Sequence, residues 1–209
     1  MFGSYVSPSA ILGPNVRIGR FCIVEDDVEL ADGVVLEDYA MVQRGARIGA
    51  RSKIGTYTKI GRNVRIGVDC SFTSFCEIRD KCELGDRVLM GSRGTLSAGT
   101  VVEDEVVMKY AFVVTDTPDL QKNDQKSVGR LKRKSRFGAS VVIMPSVVIG
   151  ENAEIGACSQ VRKDVPDNEV WFGTPAKYYR DVAPAEMAAR PVLAAAETAA
   201  EPECAIAVG

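Results

Sequence analysis

One position in every six is reserved for a large apolar side chain. Steps of six from Leu12 give Ile18, Val24, Leu30, Leu36 and so on to Met108 and Val114. All eighteen are aliphatic, Met or Phe, where chance would give roughly five. Neither a 3.6-residue nor a two-residue period produces this pattern. Two residues earlier runs a second series, from Ala10, Val16 and Cys22 to Phe112, with seventeen of eighteen members small or β-branched. The residue after the large one is often Gly, as at Gly49, Gly55, Gly61 and Gly67. Each unit reads as a short strand plus a turn. The large residue fills the interior, the small one lets the chain approach a corner, and Gly or a polar residue takes the turn. Units that cannot bury a face alone must stack on neighbours, which makes an all-β, parallel β-helix.

The run "RIGARSKIGTYTKIGRNVRIG" (47–67) resembles the hexapeptide-repeat acyltransferase family unit after unit. The resemblance implies a left-handed β-helix with three units, or eighteen residues, per coil. Residues 10–114 then make about six coils, near 30 Å long at ~4.8 Å per strand.

After Val114 the period fails, and it returns as Phe137, Ile143, Ile149, Ile155 and Val161. The step of 23 residues from Val114 to Phe137 implies seventeen inserted into one unit, a projecting loop at 115–136. The expected organisation is a β-helix over 1–166 carrying that loop, then a C-terminal extension over 167–209. The extension is rich in Ala, Glu and Pro after residue 180, which reads as a short helix near 184–200 followed by a disordered end.

Cys70, Cys76 and Cys82 fall on the three sides of one coil and invite a metal reading. With Cys22 they hold the small inward position, and buried free Cys behaves as a small hydrophobe. Their spacing matches no usual zinc pattern, so no metal is expected. A net charge of −2 and a pI near 5.4 argue against a nucleic-acid or membrane-surface protein. No apolar run approaches the ~20 residues of a membrane span. "MFGSYVSPSAIL" lacks the basic start and apolar stretch of a signal peptide, so a cytoplasmic protein is expected.

The segment "FGASVVIMPSVVIGENAEIGACSQVRKDVPDNEVWFGTPAKYYR" (137–180) resembles the end of sugar and antibiotic acyltransferases in that family. The resemblance implies a homotrimer, with acyl-CoA (acetyl-CoA or another) in the groove between adjacent prisms and the loop closing the acceptor side. Carried over by motif, the CoA contacts are Gly138, Ala139, Gly156 and Ala157 on the pantetheine arm. Arg162, Lys163, Pro175, Ala176 and Lys177 lie toward the nucleotide, where phosphates need cations. By position in or beside the loop, Asp116, Asp119, Asn123 and Arg136 are acceptor candidates. The basic cluster Arg130, Lys132, Arg133, Lys134 and Arg136 has three readings: phosphate binding, a solvated loop, or a targeting or nucleic-acid patch.

The chain contains no histidine. Imidazole is therefore excluded as base or metal ligand within it, whereas most characterised relatives use a histidine base. "GTVVEDEVVM" (99–108) resembles a family segment with Asp104 at the histidine position, between Glu103 and Glu105. That makes Asp104, with Glu103, the candidate base. An amine needs only a free lone pair, so a missing histidine points to N-acylation, and the resemblance to family members without the histidine implies a nucleotide-linked amino sugar as acceptor. Two alternatives stay open: sugar or antibiotic O-acetylation with a carboxylate base, and a non-catalytic structural subunit.

Overall fold

The computed structural model describes residues 3–117 and 128–188. Among them the chain winds as a left-handed β-helix of about nine turns. Its strands are two residues long until the last two, Glu169–Gly173 and Ala176–Asp181. They stack into three sheets of nine, eight and ten strands, here called the first, second and third faces. Pairing is parallel at eighteen residues, as in Tyr5↔Ile23 and Ile11↔Glu29. A final antiparallel hairpin, Glu169–Gly173 with Ala176–Asp181, ends the third face. A short helix follows at Pro184–Ala188.

Both sequence series point inward. From Val24 on, the large residues are buried, including Leu36, Ile54, Phe72, Met90 and Val114. The small series forms the corners of the core, with Cys22, Ala40, Ser52, Thr58 and Cys70 all essentially inaccessible. Buried hydroxyls must find partners, and two of them bond to the next coil: Ser52 Oγ donates to Gly67 O at 3.0 Å, and Thr58 Oγ1 to Thr73 O at 2.9 Å. The thiols copy this, Cys70 Sγ donating to Gly85 O at 3.2 Å and Cys82 Sγ to Ser97 O at 3.2 Å. Burial pushes the Cys70 thiol up to about 12 and the Cys82 thiol to about 11. These are inert core groups.

The expected division of labour at the turns is corrected. Gly49, Gly55, Gly61 and Gly67 are not the left-handed residues. A Cβ on Gly55 would lie 2.6 Å from Thr73 C, and one on Gly61 2.6 Å from Asp80 N. These glycines let successive coils approach. The left-handed conformation falls two residues later and, among the described residues, is held by twenty non-glycine residues, with φ from 54° to 65°. Asn and Asp accept it readily, but Phe21, Tyr39, Tyr57 and Phe75 also adopt it. Those four stand one coil apart and stack at 5.1, 4.6 and 5.1 Å between ring centroids. Ring stacking of this geometry is worth about 0.5–1.5 kcal/mol per pair.

The loop boundary is also corrected. Arg130–Leu131 and Arg136–Phe137 are strands of the helix, and Leu131 is fully buried. Val101 pairs with Arg130 and Val107 with Arg136. That separation is 29 residues instead of eighteen, so eleven residues are inserted, not seventeen. The insertion leaves the helix after Val114 and rejoins it at Arg130. The missed unit was masked by Gly129, which leaves the small position without a side chain. No helix among the described residues is long and apolar enough to cross a membrane.

Candidate active site

The sequence-predicted residues divide among the prism's three corners. Gly138, Ala139, Gly156 and Ala157 share the corner that joins the third face to the first. Cys158 N donates to Ala139 O at 2.8 Å, tying two coils together there. The terminal hairpin folds its turn onto the same corner: Gly173 N donates to Ser159 Oγ at 2.9 Å, and Thr174 Oγ1 to Cys158 O at 3.1 Å. Gly156 N donates to Trp171 O of the hairpin at 2.8 Å, and Ala176, paired with Gly173 beyond the turn, is buried. Lys177 is exposed and pairs in the strand register with Phe172. A Cβ on Gly156 would lie 2.8 Å from Phe172 Cβ, so glycine is what allows this contact.

The next corner, joining first face to second, carries the insertion. Asp116 lies 3.7 Å from Arg79 Nη1 and accepts the Thr117 hydroxyl at 3.0 Å. Thr115 Oγ1 donates to Ile143 O at 2.9 Å. Arg162 and Lys163 are exposed on this same corner, with Arg162 Nε donating to Gln160 Oε1 at 2.8 Å. Between the two corners the first face turns Val113, Val142 and Gln160 outward. A strip of sheet is thus bordered by the Gly-Ala turns and hairpin on one edge and by the insertion's feet on the other. Asp119 and Asn123 lie outside the described residues. Arg136 is on the third face, in register with Val107 and Glu154.

Glu103 and Asp104 stand on the remaining corner, with the packed core between them and that strip. Asp104 Oδ1 accepts the N–H of Asp86 at 2.9 Å. Asp86 does the same for Val68 at 2.9 Å, Asp80 for Arg62 at 2.9 Å, and Asp38 for Arg20 at 2.8 Å. Asp104 therefore belongs to a recurring set of carboxylates that cap the coil below. Glu103 pairs with Arg130 at 3.2 Å and accepts the Arg133 N–H at 3.1 Å. Both acids line a shallow groove of about 390 Å³ with Glu83, Val101 and Arg133. Within one chain, Asp104 and Asp116 do not meet.

No family model matches the chain. A stretch of 68 residues is 41% identical to a galactoside O-acetyltransferase of Lactococcus lactis, covering 32% of this chain and 33% of that protein. A 46-residue stretch is 48% identical to the galactoside O-acetyltransferase of Escherichia coli K12, covering 22% and 23%. The matches thus span a third or less of these relatives' length. In structure, the chain is similar to a UDP-N-acetylglucosamine acyltransferase from Bacteroides fragilis, with a TM-score of 0.70 and 16% identity over 85% of this chain and 72% of that one. The chain is a hexapeptide-repeat β-helix. Its resemblance to the hexapeptide-repeat acyltransferases is borne out.

In this hexapeptide-repeat β-helix the basic cluster lies outside the insertion, on two strands and the turn that joins them. Arg130 pairs with Glu103 at 3.2 Å, Lys132 with Asp167 at 3.1 Å, and Arg133 with Glu105 at 3.5 Å. Sequence reasoning missed a second cationic group, Lys59, Arg62, Arg79 and Lys81, which lines a groove of about 530 Å³ below the insertion. The signal was present: Arg62 and Lys81 are nineteen residues apart, about one coil.

Proposed function

We propose that the chain is an acyl-CoA-dependent acyltransferase, acting on the amine of a nucleotide-linked amino sugar. The observation that carries the reading is the strip of first face bordered by the Gly-Ala turns and hairpin on one edge and the insertion on the other. It sits in a chain whose sequence relatives are acetyltransferases. A smooth prism lacks the concave pocket of a small-molecule site. An insertion beside open backbone, and a groove against a second copy, are the two ways to make one. The protein works as a homotrimer in this reading. Backbone groups at Gly138–Ala139 and Gly156–Ala157 take the pantetheine arm, and Arg162, Lys163 and Lys177 take CoA phosphates.

The amine attacks the thioester carbonyl, the tetrahedral oxyanion collapses, the CoA thiolate leaves, and the nitrogen loses a proton to solvent or a carboxylate. A sugar amine ionising like an α-amino group, near pKa ~8, is partly neutral at pH 7. The enzyme then supplies alignment and oxyanion stabilisation instead of a strong base. Asp104 enters this reading as a proton acceptor presented by a neighbouring copy, through its oxygen not bonded to Asp86.

O-acetylation of a sugar is the second reading, favoured by the galactoside O-acetyltransferase relatives. A carboxylate is a poor base for a hydroxyl, which weighs against it. The test is incubation with acetyl-CoA and either nucleotide-linked amino sugars or galactosides, following thiol release. Turnover with amino sugars alone supports N-transfer, and turnover with galactosides alone replaces it with O-transfer. No turnover and no acyl-CoA binding would sink both. Sedimentation or light scattering tests the trimer, and a monomer at assay concentration refutes that part.

A further inference from the structure

The groove below the insertion carries more positive charge than its neighbours neutralise. Lys59 and Arg62 lie on one coil, Arg79 and Lys81 on the next, joined by the Lys81 N–H donating to Arg62 O at 2.8 Å. Three carboxylates stand against these four cations, and none of them is within ion-pair distance of Arg62 or Lys81. Glu77 faces Lys59 at 3.7 Å, Asp116 faces Arg79 at 3.7 Å, and Asp80 accepts the Arg62 backbone N–H at 2.9 Å. Among the described residues, neither Arg62 nor Lys81 has a carboxylate within ion-pair distance, and both are exposed. The insertion is anchored at this groove by both feet: Asp116 by its contact with Arg79, and Val128 beside Gly99, which lines the groove.

We propose that this groove binds a diphosphate, with Arg62 and Lys81 as its principal contacts. The backbones that carry these cations are stacked one strand spacing apart, ~4.8 Å. An anion with two linked charged groups spans that step, while a single carboxylate meets one rung. Arginine grips phosphate oxygens through paired donors and lysine adds a point charge. A diphosphate occurs in a nucleotide-linked acceptor and in acyl-CoA alike, so the inference rests on the acyltransfer reading for its ligand but not for its test.

Calorimetric titration of the full chain with inorganic pyrophosphate tests it directly, for wild type, R62Q, K81Q and the double variant. Both side chains are exposed, so melting temperatures should be unchanged. Affinity is expected to fall about tenfold for each cation removed, while R47Q on the second face leaves it intact. Absence of pyrophosphate binding by wild type, undiminished binding by the double variant, or equal loss in R47Q would each overturn the proposal. Parallel titrations with UDP and with CoA distinguish the sources: weakened UDP binding assigns the groove to the acceptor, weakened CoA binding to the donor. Weakening of neither overturns it as a ligand subsite. Pyrophosphate binding without acyl transfer would refute the proposed activity and leave this site standing.

Discussion

Leu131→Ala separates the observed register from the seventeen-residue insertion expected from the sequence. Leu131 is 0% exposed and stacks in register between Val102 and Ile149. Full burial of a leucine is worth about 1.5–3 kcal/mol by transfer alone. Truncation also leaves a cavity between two rungs that cannot collapse without breaking their pairing, so the loss should be about 3 kcal/mol, inside the ~2–5 kcal/mol usual for such changes. For a chain of this length each kcal/mol moves the melting temperature by about 2–4 °C, which gives a drop of about 6–12 °C. Thermal and urea unfolding should be run at one protein concentration, because self-association adds to apparent stability. Val128→Ala, at a residue 46% exposed, is the control and should move stability by less than about 0.5 kcal/mol. A Leu131→Ala loss as small as the control's would put residue 131 in the loop and refute the eleven-residue insertion.

Gly67→Ala should destabilise more than Gly33→Ala. Its Cβ would lie 2.5 Å from Gly85 O, whereas Gly33 has its nearest neighbour at 3.6 Å and faces only the left-handed φ of 69°, worth about 1–2 kcal/mol; equal losses by urea unfolding would contradict the close-approach role. Tyr57→Ala removes two stacks from the aromatic column and should cost about 1–3 kcal/mol, against no change if the rings merely lie near each other. Acid should lower the protein's stability modestly: hydrogen bonds from Arg20 and Arg51 hold Asp38 and Asp69 below the usual carboxylate range, and the Glu151 N–H followed by Lys132 does so for Asp167, all three through solvent-exposed hydrogen bonds, where water screens the pairs. Their folded values lie below the unfolded ~3.9, so this stabilisation is complete well above that value and fades as pH falls through the folded values. A melting temperature that rises between pH 5 and pH 3 would refute it.

Much of the fold was legible because its two inward series repeat without regard to tertiary context. Cys70 and Cys82 were readable as core residues from phase alone. What misled the reading was local. Gly49 and its equivalents follow the strand, so they look like turn residues, yet the constraint on them comes from the coil eighteen residues away. Leu131 sat between a glycine and a basic run, and composition outweighed phase. The site was harder to read, since its residues come from edges that meet only when coils stack. The series of capping aspartates that includes Asp104 is invisible until Gly and Asp one coil apart are seen together, and the cations at 59, 62, 79 and 81 read as scattered surface charge.

The insertion displaces every later residue by eleven places and no later strand by even one in register. The pairings that span it close 29 residues where those before and after it close eighteen. With closure entropy growing as the logarithm of length, the extra cost is only about 0.4 kcal/mol. A corner of this prism is therefore almost indifferent to how much chain passes through it. The β-helix can change its reach toward a new ligand by lengthening one turn while the coils above and below keep folding as before.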